Sequence, residues 1–239
     1  MPGKLNPHVS VDCVIFGFDS LSLKILLIDR NYGQHLNKNN TPLSLKLPGS
    51  LVYDDEDIDT AAVRVLKDLT GLNNIYLQQL YVFGSPNRLN KKGDLDWLQS
   101  LTKMKINRVV TVAYYSLIKL EENKKTYPGA SWCDVTKLPD LAFDHAEIIQ
   151  KGLIKLRREL HYEPIEFELL PKKFTIRQIQ TLYEIILGKK LDGRNFRKKI
   201  IKLGYILQVT EKEKNVSHKP AQYYRFKRKN VFKVTKKIF

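Results

Sequence analysis

The feature that most constrains the fold of this chain is the complete segregation of its net charge. Leu170 to Phe239 holds twenty lysines and arginines against four acidic residues, whereas the preceding residues hold twenty-one of each sign. A scattered excess of lysine would indicate only a solvated surface. So strict a division instead predicts two domains and a polyanionic partner for the second. The strand and helix patterns break around 162–171, and we therefore predict domains over 1–165 and 166–239.

The amino-acid sequence indicates in which cellular compartment the protein is expected. The two cysteines, Cys13 and Cys133, are too few for a disulfide framework or a thiolate zinc site. The first residues lack the basic start and apolar run of a signal peptide, and no apolar stretch approaches the roughly 20 residues of a membrane span. We expect a cytoplasmic protein with reduced thiols, no membrane partner, no cofactor and no metal site.

The first domain mixes strands with helices, which makes the chain an α+β protein. Short β-rich runs predict strands at 9–16, 22–28, 75–83, 108–119 and from Ser131, the first two joined as a hairpin. Apolar residues at helical spacing predict helices over 57–69, ended by Gly71, and over 144–161.

The second domain has the element order of a winged helix-turn-helix. A helix from the N-cap Thr175 to Gly188 is followed by a second helix over 192–202, which Gly204 closes. Strands at 205–210 and 222–226 then flank a polar loop. Helix, turn, helix, strand, loop, strand is the winged-helix arrangement.

The second of these helices and the loop supply side chains suited to phosphates and base edges. Phe196 is expected to point into the core. The candidate contacts to double-stranded operator DNA are Arg194, Asn195, Arg197, Lys198, Lys199 and Lys202 on the helix and Lys212, Lys214, His218 and Lys219 in the wing.

Residues 47–72 resemble a Nudix box, which in active enzymes holds Mg²⁺ against a diphosphate through several carboxylates. The loop glutamate of the motif matches Glu56 and its helix arginine matches Arg64, although Ser50 replaces the second glycine of the usual Leu-Pro-Gly-Gly opening. The resemblance implies a Nudix-like α/β/α sandwich with a mixed sheet for the first domain.

The metal-binding core of that motif is degenerate. The family pattern Arg-Glu-hydrophobic-x-Glu-Glu reads Arg-Val-Leu-Lys-Asp-Leu over 64–69, so two of three helix carboxylates are apolar and only Asp68 remains. We predict no catalytic residue and no hydrolase activity. Val65, Leu66 and Leu69 are then core residues, and Glu56 and Arg64 are expected to form a structural ion pair.

Residues 174–188 and 191–200 resemble the DNA-binding half of the Nudix-related transcriptional regulators, and the two motifs together cover nearly the whole chain. The overall likeness is greatest to the L-arabinose-responsive branch, as opposed to the ADP-ribose sensors of NAD metabolism. The resemblance implies a homodimeric repressor of carbohydrate utilisation that L-arabinose releases from DNA. ADP-ribose is the alternative effector.

The effector site is expected in the Nudix cleft. A sugar needs donors and acceptors for its hydroxyls, and ADP-ribose also needs cations for its diphosphate and a stacking surface for adenine. The Asp144 to Glu147 cluster is the best candidate because it opens a helix, although His145 could equally be a satisfied core histidine. The candidates are Tyr32, Lys46, Glu56, Arg88, Asp144, His145 and Glu147.

Two other functions are open at this point. The first is an active Nudix hydrolase whose basic region attracts an anionic substrate. The second is an RNA-binding protein, which is disfavoured because the basic region offers no exposed aromatic platform for single-stranded bases.

Overall fold

The computed structural model describes residues 3–31, 45–91, 93–120, 127–160, 169–213 and 220–227. The chain divides into two compact units, one within Met1–Gly17 and Lys24–Gly152 and the other within Phe18–Leu23 and Leu153–Phe239. The expected domain boundary near residue 165 lies outside the described residues and stays a prediction.

The first unit is built on a mixed sheet. Its strands are β1 (Leu5–Phe18), β2 (Leu23–Asp29), β3 (Leu45–Lys46), β4 (Gly49–Tyr53), β5 (Gln78–Phe83), β6 (Val110–Lys119) and β7 (Ala130–Asp134). They follow the order β3-β2-β1-β6-β5, with β4 paired to β1 and β7 to β2. The strands predicted as a hairpin are therefore neighbours in the sheet. Leu45 also makes a parallel bridge to Leu141, whereas β5 and β6 pair antiparallel.

Three helices accompany this sheet, α1 (Ile58–Thr70), α2 (Asp94–Thr102) and α3 (His145–Glu159). Helix α1 begins where the Asp57 carboxylate accepts the Thr60 backbone N–H, and it ends at Gly71, whose φ of 68° suits a residue without Cβ. Helices α1 and α3 confirm the predicted pattern. Helix α2 was not predicted.

Strand β1 lies between two helical layers and contributes buried side chains on both of its faces. Cys13 and Ile15 are buried in one cluster with Val65 and other residues of α1. Val14, between them in sequence, lies against Gly152 of α3. Because successive side chains point to opposite faces of a strand, α1 and α3 cover opposite faces of β1. This arrangement confirms the expected α/β/α sandwich.

The second unit contains β8 (Phe174–Thr175), α4 (Ile176–Leu187), α5 (Gly193–Lys202), β9 (Ile206–Lys212) and β10 (Gln222–Phe226), with sheet order β8-β10-β9. Helix α4 begins at a capping box in which Thr175 and Gln178 each bond the other's backbone N–H, and it ends at Gly188. The predicted order of helices and strands is confirmed, with the short strand β8 added before α4.

Aromatic side chains form much of the core of the second unit. The rings of Phe174 and Phe226 lie 4.4 Å apart, and those of Tyr183 and Phe196 meet edge to face at 5.4 Å. Phe196 is buried, as predicted, so α5 is anchored by one face and exposes the other. Within the described ranges, no helix has the length and apolar character needed to cross a bilayer.

Candidate functional site

A cavity of about 610 Å³ lies within the first unit. Its lining combines apolar side chains with buried charged ones, among them Asp12, Lys46 and Arg88 from strands and loops that the fold brings together. A concave, largely apolar site with a few convergent polar groups is typical of small-molecule binding.

Arg88 lies at the centre of a buried ionic network beside this cavity. Its Nε and Nη2 donate to the two carboxylate oxygens of Asp144 at 3.0 and 2.9 Å, and Nη2 also lies 3.6 Å from Asp12. The paired contact to Asp144 is the bidentate geometry that fixes a guanidinium most firmly. Two carboxylates therefore balance and orient the charge of Arg88.

His145 joins the same network. Its Nδ1 accepts the backbone N–H of Leu47 at 2.9 Å, and its Nε2 lies 3.4 Å from Asp12. An Nδ1 that accepts a bond leaves the proton on Nε2, so the contacts select one tautomer. His145 has the contacts of a satisfied core histidine and also borders the cavity.

Asp12 is the carboxylate that these groups share. Burial by itself would raise the pKa of Asp12, but His145, Arg88 and Lys46 together hold that pKa well below its usual range. Thr111 adds a hydroxyl hydrogen bond of 2.7 Å. Asp12 is thus ionised at neutral pH despite its burial.

Lys46 is a buried cation at the edge of the cavity. Its Nζ donates to the backbone oxygens of Gly49 at 2.7 Å and Leu47 at 3.3 Å. Burial lowers the pKa of Lys46 to about 8, with the nearby Asp12 carboxylate opposing that shift. This amine changes charge close to neutral pH.

The other side of the cavity was missed by sequence analysis. Arg30 contacts the Asp94 carboxylate at 2.5 Å, and its guanidinium lies 5.5 Å from the Trp97 ring centre. Phe143 stands between Trp97 and His145, with ring centres 6.0 and 5.2 Å away. Aromatic and cationic side chains are thus adjacent in the lining of the cavity. The acidic first turn that follows Gly93 was the available signal for α2.

The remaining effector candidates lie elsewhere. Glu56 accepts from Arg64 Nε at 2.8 Å and from the Tyr53 backbone N–H, and its pKa is lowered chiefly by the Arg64 bond. The predicted Glu56–Arg64 ion pair is therefore present, and Glu56 is not among the residues that border the cavity. Glu147 is exposed in the first turn of α3. Tyr32 lies outside the described residues.

The degenerate Nudix positions serve packing. Val65 and Leu66 are buried, and Leu69 packs against the same cluster as predicted, while Asp68 is exposed at the cavity margin. In the part of the chain that the structure describes, no group of three or more His, Cys, Asp or Glu side chains is placed so that it could hold a metal ion. Helix α1 packs against the sheet through its apolar face.

The second unit presents a cationic helix surface. Helix α5 begins where Asp192 accepts the Asn195 backbone N–H, and it turns its basic side chains outward. Arg197 Nη2 donates to the Tyr224 hydroxyl of β10 at 3.2 Å. Lys212 ends β9, whereas Lys214, His218 and Lys219 lie outside the described residues. The exposed candidates on the helix are Arg194, Asn195, Arg197, Lys198, Lys199 and Lys202.

Residues 166–226 match the NrtR DNA-binding winged helix domain. Over 229 residues the chain is 31% identical to the ADPR responsive transcriptional repressor NtrR of Acinetobacter baylyi. This alignment covers 92% of this chain and 82% of the relative. The chain belongs to the NrtR family. The predicted pairing of a Nudix-like fold with a winged helix is confirmed.

Two further likenesses are to a solved structure and to an enzyme. The crystal structure of Shewanella oneidensis NrtR aligns with a TM-score of 0.65 at 24% identity, covering 92% of this chain and 94% of that one. The ADP-ribose pyrophosphatase of Methanocaldococcus jannaschii is 33% identical over 148 residues, 61% of this chain and 73% of the relative. The expected placement in the L-arabinose branch finds no support among these relatives.

Proposed function

We propose that this chain is a transcriptional repressor that binds operator DNA through α5 and releases it when ADP-ribose occupies the cavity of the first unit. The observation that carries the proposal is the 31% identity over 92% of the chain to a repressor described as responsive to ADP-ribose. The segregated positive charge and the exposed basic face of α5 support the DNA-binding half.

The chemistry of the cavity favours ADP-ribose over a pentose. ADP-ribose brings a purine, a diphosphate and several hydroxyls, and so needs a stacking surface and cations as well as hydrogen-bond partners. Trp97 and Phe143 offer aromatic surface, and Arg30 and Lys46 place cationic groups at the same cavity. L-Arabinose has no diphosphate to pair with the cations and no purine to cover this much aromatic surface. ADP-ribose therefore replaces L-arabinose as the proposed effector.

The proposed assembly is a homodimer in which 1–165 senses the effector and 166–239 binds DNA. Two winged helices would enter successive major grooves roughly 34 to 36 Å apart on a pseudo-palindromic operator. Effector binding would change the spacing or tilt of these helices, a coupling of about 1 to 3 kcal/mol.

The competing function is hydrolysis of ADP-ribose, which the likeness to the Methanocaldococcus jannaschii pyrophosphatase favours. Against it stand Val65 and Leu69, apolar residues at positions where the Nudix box carries glutamates. We propose that the chain binds ADP-ribose and does not cleave it.

One pair of measurements tests the proposal. Fluorescence anisotropy of a duplex selected by the full chain from a random library, at fixed salt, should fall on addition of ADP-ribose and stay constant with L-arabinose. Incubation of the same protein with ADP-ribose and Mg²⁺ should yield no AMP. Release by L-arabinose alone would refute ADP-ribose sensing, and steady AMP production would establish the hydrolase.

A further inference from the structure

The outward face of α5 contains an apolar residue among cations. Helix α5 buries Phe196 and Ile200, but Ile201 is 44% exposed. Ile201 borders a shallow surface depression whose other residues all carry positive charge. These are Arg194, Arg197, Lys198 and Lys202.

Helix geometry explains why these side chains are together. Ile201 follows Lys198 by three residues, Arg197 by four and Arg194 by seven, and residues at these spacings lie on one face of an α-helix. Ile201 is therefore within the cationic stripe and not at its edge with the core.

An exposed aliphatic side chain has no functional meaning by itself. Ile154 on α3 is 61% exposed, and isolated apolar residues are common on protein surfaces. Ile201 differs in its surroundings, because any molecule that covers it must also meet several positive charges. Its partner must therefore offer anions and an apolar group at close range.

The major groove of duplex DNA provides that combination. Phosphates flank the groove, and thymine alone among the four bases presents a 5-methyl group within it. We propose that Ile201 contacts a thymine methyl group and thereby makes this chain prefer thymine at one position of each operator half-site. This inference rests on the proposed DNA-binding function and adds a specificity residue to it.

An anionic membrane would also offer negative charge beside apolar material. A membrane-surface helix, however, buries a broad apolar face. The outward depression of α5 has one apolar residue, which favours DNA.

The test uses the full chain and the duplex that it enriches most strongly from a random library. Each thymine is replaced in turn, together with its symmetry-related counterpart in the other half-site, by deoxyuridine, which lacks only the 5-methyl group. For wild-type protein, one such paired replacement should weaken binding by about fourfold for each half-site, the effect of one methyl group lost from a buried contact. Ile201→Ala should bind the thymine duplex about as weakly as wild type binds the deoxyuridine duplex, and should not distinguish the two.

Ile154→Ala is the matched control, since it removes another exposed isoleucine, from a different helix, and should keep the thymine preference. A deoxyuridine penalty that persists in Ile201→Ala, or is absent from wild type, would overturn the assignment. Ile201-dependent binding to phosphatidylserine vesicles with no such penalty would overturn it in favour of a membrane. Failure to enrich any duplex would instead refute the proposed function itself.

Discussion

The hydroxyl of Tyr224 on β10 accepts a hydrogen bond of 3.2 Å from Arg197 Nη2 on α5. Tyr224 is buried, so its position is fixed by the core, and it in turn limits the directions that the exposed Arg197 can take. An arginine held in this way loses less conformational entropy when it contacts DNA.

Tyr224→Phe removes this restraint and keeps the ring. We expect operator affinity to fall by about 1 kcal/mol, the usual net value of one hydrogen bond. Affinity for random duplex should be unchanged because no charge is lost. Competition binding measures both, with Tyr223→Phe as control. Equal losses on both duplexes would argue against a positioning role.

Removal of Arg197 should have a larger effect. Arg197→Ala is expected to weaken operator binding by about 1 to 3 kcal/mol if the side chain reads a guanine, and to lower the salt dependence of binding if it contacts phosphate. Affinities measured over a range of salt concentrations separate the two. The control Arg158→Ala removes an exposed arginine from α3. If affinity and salt slope both match wild type, Arg197 does not contact DNA.

Arg88 should be essential to the stability of the first unit. Arg88→Met leaves the buried Asp12 and the partly buried Asp144 without their shared cation, and we expect a loss of about 3 kcal/mol in the free energy of unfolding. Adding Asp144→Asn should recover part of that loss, because one uncompensated charge disappears. Urea denaturation of the full chain measures both. A loss below about 1 kcal/mol in Arg88→Met would be incompatible with this network.

Lys46 should make effector binding depend on pH. Its pKa of about 8 means that the amine is charged below that pH and neutral above it. Only the charged form attracts a diphosphate, so affinity for ADP-ribose should be full below pH 8 and fall as the pH rises through it. Calorimetric titrations across this range should show the fall in wild type and a weaker, pH-independent affinity in Lys46→Met. The same slope in both proteins would exclude Lys46 as its source.

Glu184 should make the second unit sensitive to acid. It accepts the Leu191 backbone N–H at 2.9 Å and the Lys190 Nζ at 3.0 Å, and the Leu191 bond is the main cause that lowers the pKa of Glu184 to about 2. A lowered carboxyl pKa stabilises the fold fully above the unfolded value near 4.5, and this contribution is lost as the pH falls towards 2.

Glu184→Gln should therefore lower stability near neutral pH by on the order of 1 kcal/mol, and the difference from wild type should vanish in acid. Thermal denaturation as a function of pH measures this. Glu147→Gln, which removes an exposed carboxylate from α3, is the control and should follow wild type. A stability difference that persists unchanged at pH 2 would contradict the assignment.

Local capping chemistry made most helices predictable. Helices α1 and α4 begin at side-chain caps and end at glycines, and both carry a clear apolar stripe. Helix α2 lacks these signals. It begins after Gly93 in a left-handed conformation without a side-chain cap, and Asp94 is its one buried residue. Periodicity cannot detect a helix that packs through so narrow a face.

The residues that line the cavity could be predicted only in part, because the tertiary fold brings some of them together. Lys46 directly precedes the Nudix-like stretch and His145 lies in the predicted Asp144 to Glu147 cluster, and the structure places both of them at the cavity together with Arg88. Arg30 and Asp94 are 64 residues apart and meet only in the folded chain. Nothing in either local sequence identifies the other as a partner, since tertiary contacts of this kind depend on the whole sheet.

The burial of Val65 limits which substitutions this position can accept. A glutamate restored at that position would place an ionised group in the packed cluster that includes Cys13 and Ile15, which costs several kcal/mol unless a partner accompanies it. The single substitution Val65→Glu would thus destabilise the fold before it could contribute to catalysis. The packed cluster around Val65 therefore tolerates loss of a glutamate at this position more readily than its return.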